Sequence, residues 1–200
     1  MSGPIGRETY VQKGKSSMAN AVRRVVTGHD NEGKSVFISD SQPPRCISFE
    51  NLPGLEFVEL WATDGIPTIP VDNDPTLRMS TFVPEPASTR FRIVKFPPEL
   101  EISALIQKGF SPADFRKEYI EKVPGLAETD EIENPGMHTT DTIDYGIVLS
   151  GEIDMELDDG REVHFRAGDC LVQNGTRHRW QNRSGEPCTI AFIMVGAKRI

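Results

Sequence analysis

Residues 136–182 read GMHTTDTIDYGIVLSGEIDMELDDGREVHFRAGDCLVQNGTRHRWQN, and the punctuation of this stretch decides the fold. Short apolar segments at 145–149, 153–157, 162–165 and 170–172 are parted by Ser150-Gly151, Asp158-Asp159-Gly160, Ala167-Gly168-Asp169 and Asn174-Gly175. Two more segments follow at 177–181 and 189–195. Short strands between tight turns are the pattern of an antiparallel sandwich or barrel, and Asn-Gly is a strong hairpin-turn dipeptide. Ile153, Met155 and Leu157 alternate with Asp154 and Glu156, so this strand buries one face and wets the other.

Upstream, the segments at 22–27 and 35–39 flank the turn-rich GHDNEGK and predict a hairpin. EFVELWA at 56–62 predicts a strand with Phe57, Glu59 and Trp61 on one face, and FRIVKF at 91–96 another, stopped by Pro97-Pro98. Residues 63–89, rich in Pro, Asp and Thr, form a long excursion with one short strand near 77–82. One helix is clearly signalled: Ser111 as N-cap, Pro112 at the first position, Asp114 placed for a capping box, and Phe115 and Tyr119 on one face. A weaker helix is expected at 100–107. The organisation expected is a flexible tail over 1–20, a β extension and helical connector over 21–125 packing on the barrel or on a dimer partner, and the barrel core over 126–200.

The 200 residues carry 22 Lys and Arg against 30 Asp and Glu, a net charge of −8, with the basic residues scattered. That balance argues against a nucleic-acid partner, which needs a basic surface to displace counterions from phosphate. No apolar run approaches the roughly 20 residues of a spanning helix, and residues 1–20 lack a signal-peptide core, so no membrane partner is expected. Cys46, Cys170 and Cys188 are widely spaced and odd in number. They read as partly buried free thiols in a reducing, cytoplasmic setting.

Four histidines are available: His29, His138, His164 and His178. If MHTTDTIDY is extended, His138, Thr140 and Asp144 project from one face. His178 follows the Asn174-Gly175 turn and can close a site from across the barrel. Two imidazoles and a carboxylate on one face are a three-ligand set with positions left open for water, oxygen or substrate. His29 reads as a solvated turn residue, and His164, between Val163 and Phe165, as outward-facing. Asp141 and Tyr145 have exterior parity, whereas Met155, Gln173 and Trp180 are candidates to line the pocket. Trp61, Phe57 and the loop at 63–75 are candidate roofing.

Residues 136–182 resemble the two motifs of the cupin superfamily. In the first, His138 stands at the first histidine, Thr140 at the second, Asp144 at the glutamate and Gly151 at the closing glycine. In the second, Gly160, Ala167-Gly168-Asp169, Asn174-Gly175, His178 and Asn182 fall in order. The resemblance implies an all-β fold, the double-stranded β-helix or jelly-roll-like barrel, here with an N-terminal hairpin extension and one or two short helices. It also implies dimerisation through such additions, so a homodimer is expected.

Cupin metal sites usually have three histidines and a glutamate, so Thr140 and Asp144 depart from the pattern. One reading is a divalent metal (Fe, Mn, Zn or Ni) on His138, Asp144 and His178, serving a lyase, hydratase, isomerase or oxygenase step on a small organic metabolite. The other is a metal-free cupin that binds a small ligand without catalysis.

Overall fold

The computed structural model describes Met18 and residues 21–71, 73–107 and 109–200. The expected tail over 1–20 lies outside the described residues except for Met18, which is buried against Val58 and Leu60.

The described residues fold as expected into a mostly β structure, with two α-helices among them. A separate hairpin joins β1 (Arg24–His29) and β2 (Ser35–Ser41). The strands β3 (Arg45–Ser48), β4 (Glu56–Thr63) and β5 (Thr89–Phe96) precede α1 (Glu99–Gln107) and α2 (Pro112–Lys122). Then come β6 (Thr142–Ser150), β7 (Glu152–Glu156), β8 (Glu162–Arg166), β9 (Cys170–Asn174), β10 (Arg179–Gln181) and β11 (Cys188–Gly196). A six-stranded sheet runs β3-β4-β5-β11-β6-β9 and a three-stranded sheet runs β10-β7-β8. β3, β4 and β5 therefore share a sheet with the C-terminal strands: β5 pairs β11 from Thr89 with Val195 to Phe96 with Cys188.

Between the two sheets Val148 and Ile190 meet Ile153, Met155 and Phe165, forming one core. A second core lies where the six-stranded sheet meets α2 and the irregular segments. Phe49, Phe57, Phe82, Val94 and Val123 are buried there, with Phe115 and Tyr119 of α2 packed against them. The α2 start is as the sequence signals: the Ser111 side chain accepts the Asp114 N–H.

Two expectations are corrected. The short strand near 77–82 is absent: Asp74 caps a single 3-10 turn over Pro75–Arg78 by accepting the Thr76 N–H. Met79 and Phe82 are buried, Phe82 in the second core, so burial rather than strand pairing holds that stretch. The strict alternation in β4 also breaks, because the β4–β5 register shifts between Glu59 and Trp61, leaving Glu59 buried and Trp61 half-buried. The three cysteines are free, as expected, but Cys46 and Cys170 are exposed and only Cys188 is buried.

β6 has an inverted pattern. Thr142, Asp144 and Gly146 face the interior, while Ile143, Tyr145, Ile147 and Leu149 are exposed. A strand with its polar residues inside is arranged for a site rather than for a plain hydrophobic core.

Gly151 ends β6 at φ 75°, and an added Cβ would sit 2.5 Å from the Pro187 carbonyl oxygen. Gly160 has a similar φ of 66° but nothing within 4 Å. Gly160→Ala is expected to destabilise by roughly 1–3 kcal/mol, the cost of the left-handed backbone alone. Gly151→Ala, which adds the collision, is expected to lose more. Urea unfolding midpoints of the two variants measure the difference.

Candidate functional site

The centre of the site is a backbone pairing. The His138 N–H donates to the His178 carbonyl at 2.9 Å and the His178 N–H donates to the His138 carbonyl at 3.0 Å. This isolated antiparallel bridge sets the imidazole rings 4.2 Å apart, centroid to centroid. Asp130 pairs with the other side of the His138 backbone, so the segment before β6 is extended, as the parity argument requires.

Each ring is oriented through Nδ1. In His178 this nitrogen lies 3.0 Å from the Thr176 carbonyl oxygen, and in His138 it lies 3.1 Å from the Gly136 carbonyl oxygen. A carbonyl only accepts, so the His138 ring carries its proton on Nδ1 and keeps its lone pair on Nε2, whereas His178 Nδ1 faces an amide nitrogen, a donor, as well as a carbonyl. The Gln173 amide lies against His178 Nδ1 and donates to the same Thr176 carbonyl at 2.9 Å. Gln173 is placed by register, directly across from Asp144 in the β6–β9 pair. Burial, and then the neighbouring His138, push the His178 pKa down to about 3, against a smaller opposing effect from the Thr176 carbonyl. His178 is therefore neutral at ordinary pH.

Asp144 is buried, and its Oδ1 has no hydrogen-bond partner among the described residues. Burial raises its pKa, while a hydrogen bond from Thr142 and the charges of Arg92 and His138 pull it back. Thr140, at the position of the family's second histidine, is buried with its hydroxyl 2.7 Å from that of Thr142. It braces the hydroxyl that serves Asp144.

His138, Asp144 and His178 line one cavity of about 90 Å³, walled by Phe57, Leu126, Trp180, Phe192 and Met194. Trp180 meets His178 edge-on at 6.3 Å and stacks among Phe96 and Phe192. Met155 packs behind Trp180 in the core and is not part of that wall. Thr140 and Gln173 support the site from beneath it.

Phe57 lines the cavity, but Trp61 and residues 69–71 border a different cleft beside the β1–β2 hairpin. The roof is instead Tyr119 of α2, whose burial raises its hydroxyl pKa. His164 is exposed and bonded to Asp154 at 2.8 Å, and His29 is exposed at the end of β1. Asp141 is exposed with Arg199 as its partner, and Tyr145 faces outward. Among the described residues no three His, Cys, Asp or Glu side chains stand close enough together to hold a metal ion.

The family model for the cupin domain matches residues 127–195. Phomopsin biosynthesis cluster protein D of Diaporthe leptostromiformis is 30% identical over 193 residues, covering 94% of this chain and 86% of that protein. The chain is a cupin. Oryzines biosynthesis cluster protein J of Aspergillus oryzae is 26% identical, covering 90% of the cupin and 85% of its own length. The cupin-domain-containing oxidoreductase fogC of Aspergillus ruber is 27% identical, covering 87% and 72%.

Arg92 is a cavity-lining residue that the sequence reading missed. It lines the same cavity of the cupin at 2% exposure, on the inward face of β5. The signal was present: Arg90 and Arg92 share parity with Val94 and Phe96, so two charged residues occupy positions that should be apolar.

The depressed His178 pKa has a stability consequence. The unfolded chain binds a proton at this residue near its ordinary value of about 6.5, whereas the folded chain resists until about pH 3. The contribution of His178 is thus fully present above about pH 6.5 and is lost as pH falls towards 3. In a chelating buffer, His178→Gln is expected to show a shallower loss of unfolding free energy across that window than the parent, measured by urea titration at successive pH values.

Proposed function

We propose that this cupin is an enzyme of small-molecule biosynthesis that carries out a proton-transfer step, of the lyase, hydratase or isomerase type, on an organic molecule held between its sheets. One observation carries the reading: two imidazoles, that of His138 held with its lone pair on Nε2, and a carboxyl group shifted towards its protonated form line a single aromatic-walled cavity. Groups whose environments separate their proton affinities are how one site supplies both an acid and a base. His138, half-buried, is the base, taking a proton on Nε2 while its Nδ1–H stays on the Gly136 carbonyl. Asp144 is the acid, delivering its proton to the oxygen on which charge develops. His178, with its low proton affinity, stays neutral and orients the substrate. The aromatic walls exclude water. The names of the relatives, two biosynthesis cluster proteins and an oxidoreductase, support a place in the making of a specialised metabolite.

The reading is tested with candidate substrates assayed by product analysis. His138→Ala and Asp144→Asn are each expected to lower kcat by about 10²–10⁴, the usual contribution of a positioned acid or base. Binding without turnover in the parent would instead mark a non-catalytic binder, and unchanged turnover in both variants would remove these two residues from the chemistry.

A divalent metal is the second reading, favoured by the two imidazoles and the unpartnered Oδ1 of Asp144. These donors fit such an ion in type but not in spacing. No step of the scheme above passes through one. When bound, an ion would supply Lewis-acid polarisation of a substrate oxygen. Elemental analysis of protein purified without an affinity tag checks it: stoichiometric Fe, Mn, Zn or Ni in the parent, lost in His138→Ala and in His178→Ala, supports this reading. Metal-free protein whose Tm is unmoved by added ions removes it.

A further inference from the structure

We propose that Arg92 is the anion-recognition residue of the cavity and that the ligand is a small carboxylic acid with an apolar body, bound carboxylate first. The inference rests on the reading of this cavity as a substrate site and adds the class of molecule it takes.

The charge inventory around Arg92 is lopsided. Its Nε lies 3.0 Å from Glu59 Oε1, and its Nη2 donates to the Phe82 carbonyl. That Nε is buried and makes no well-aligned hydrogen bond among the described residues. The charges of Arg45 and Arg90 also act on Glu59, which is fully buried, so three guanidinium groups bear on one acid. Arg45 and Arg90 are otherwise satisfied mostly by backbone carbonyls, of Met79 and of Thr63, Thr81 and Thr89. Arg90 reaches one further carboxylate, Asp64, which is 63% exposed and too well solvated to neutralise the interior. Asp144 is the one acid among the residues that line the cavity, so two buried carboxylates face three guanidinium groups. A buried guanidinium is costly unless it is matched, and it binds a carboxylate in fork geometry with charge-assisted hydrogen bonds. The interior thus holds an excess of fixed positive charge that a ligand carboxylate would balance.

The shape of the space gives the rest of the ligand. The inner cavity of about 90 Å³ has room for a carboxylate and a few further atoms. It adjoins an outer chamber of about 250 Å³, and the two share Phe57, Phe96, Tyr119, His138 and Trp180. His138 stands at the junction, so a ligand anchored on Arg92 would pass its first carbons under the His138 ring. Its body would fill the outer chamber, against Leu52, Ile102 and Phe115.

Isothermal titration of the full chain with benzoate, 3-phenylpropionate and 5-phenylpentanoate, each beside its primary amide, tests the proposal. At least one acid is expected to bind roughly tenfold or more tighter than its amide, the range of a hydrogen bond to a charged group. Arg92→Met should abolish that preference. Because this variant leaves Glu59 buried without its partner and can fail to fold, Glu59→Gln provides a second reading with Arg92 intact: removal of the competing carboxylate should tighten the acid and leave the amide unchanged. Equal affinity for acid and amide, no binding of any acid, or a preference that persists in Arg92→Met would overturn the proposal. His138→Ala should keep the acid preference whatever it does to turnover. A failure of anion recognition is therefore distinguishable from a failure of the acid–base scheme.

Discussion

Two reciprocal backbone hydrogen bonds between His138 and His178 join segments forty positions apart, and the site depends on them. Neither residue lies in a named strand: β6 begins at Thr142 and β10 at Arg179. The bridge therefore extends pairing just beyond the regular strands, at the cavity mouth. It fixes the ring separation through the stiffest part of each residue, the peptide plane, and leaves the side chains only to choose a rotamer. The Gly136 carbonyl at His138 Nδ1, and the Thr176 carbonyl with the Gln173 amide at His178 Nδ1, then make that choice.

Around this bridge the usual economy of a β-sheet is reversed. Thr140, Thr142, Asp144, Gln173, Arg90, Arg92 and Glu59 are all buried, while Ile143, Tyr145, Ile147 and Val172 are exposed. Buried polar groups cost free energy unless each finds a partner. Much of this set does so internally, as when Thr140 reaches Thr142 and Gln173 reaches the 176–178 turn. Atoms left without a well-aligned hydrogen bond include both Glu59 oxygens, Gln173 Oε1, Arg92 Nε and Asp144 Oδ1, and Arg92 and Asp144 line the same cavity. A fold that carries this desolvation cost needs a compensating core elsewhere. The Val148–Ile153–Phe165–Ile190 cluster at one end and the Phe49–Phe57–Phe82–Val94 cluster beneath α2 provide it.

Much of this was legible in the chain before folding. Turn dipeptides and two-residue alternation located the C-terminal strands to within three residues, because φ > 0 and pleat parity are local requirements. The α2 start at Ser111-Pro112 was equally local. The segment at 77–82 was not, since its apolar residues satisfy burial from an irregular backbone and local pattern cannot tell that from a strand. Trp61 was misjudged as roofing for a similar reason: the register shift after Glu59 is set by pairing with β5, and pairing is non-local.

The sequence by itself determined the class of fold, the family, and the parity that puts His138, Thr140 and Asp144 on one face, all consequences of short-range geometry and motif spacing. Tertiary structure decided which groups share a dielectric and a cavity. Only there does Thr140 become a brace for Asp144 rather than a ligand, does α2 rather than the 63–75 loop close the pocket, and does Arg92 join the site. Burial and the distances between charges belong to the assembled sheets, because they depend on residues that the chain brings together from far apart.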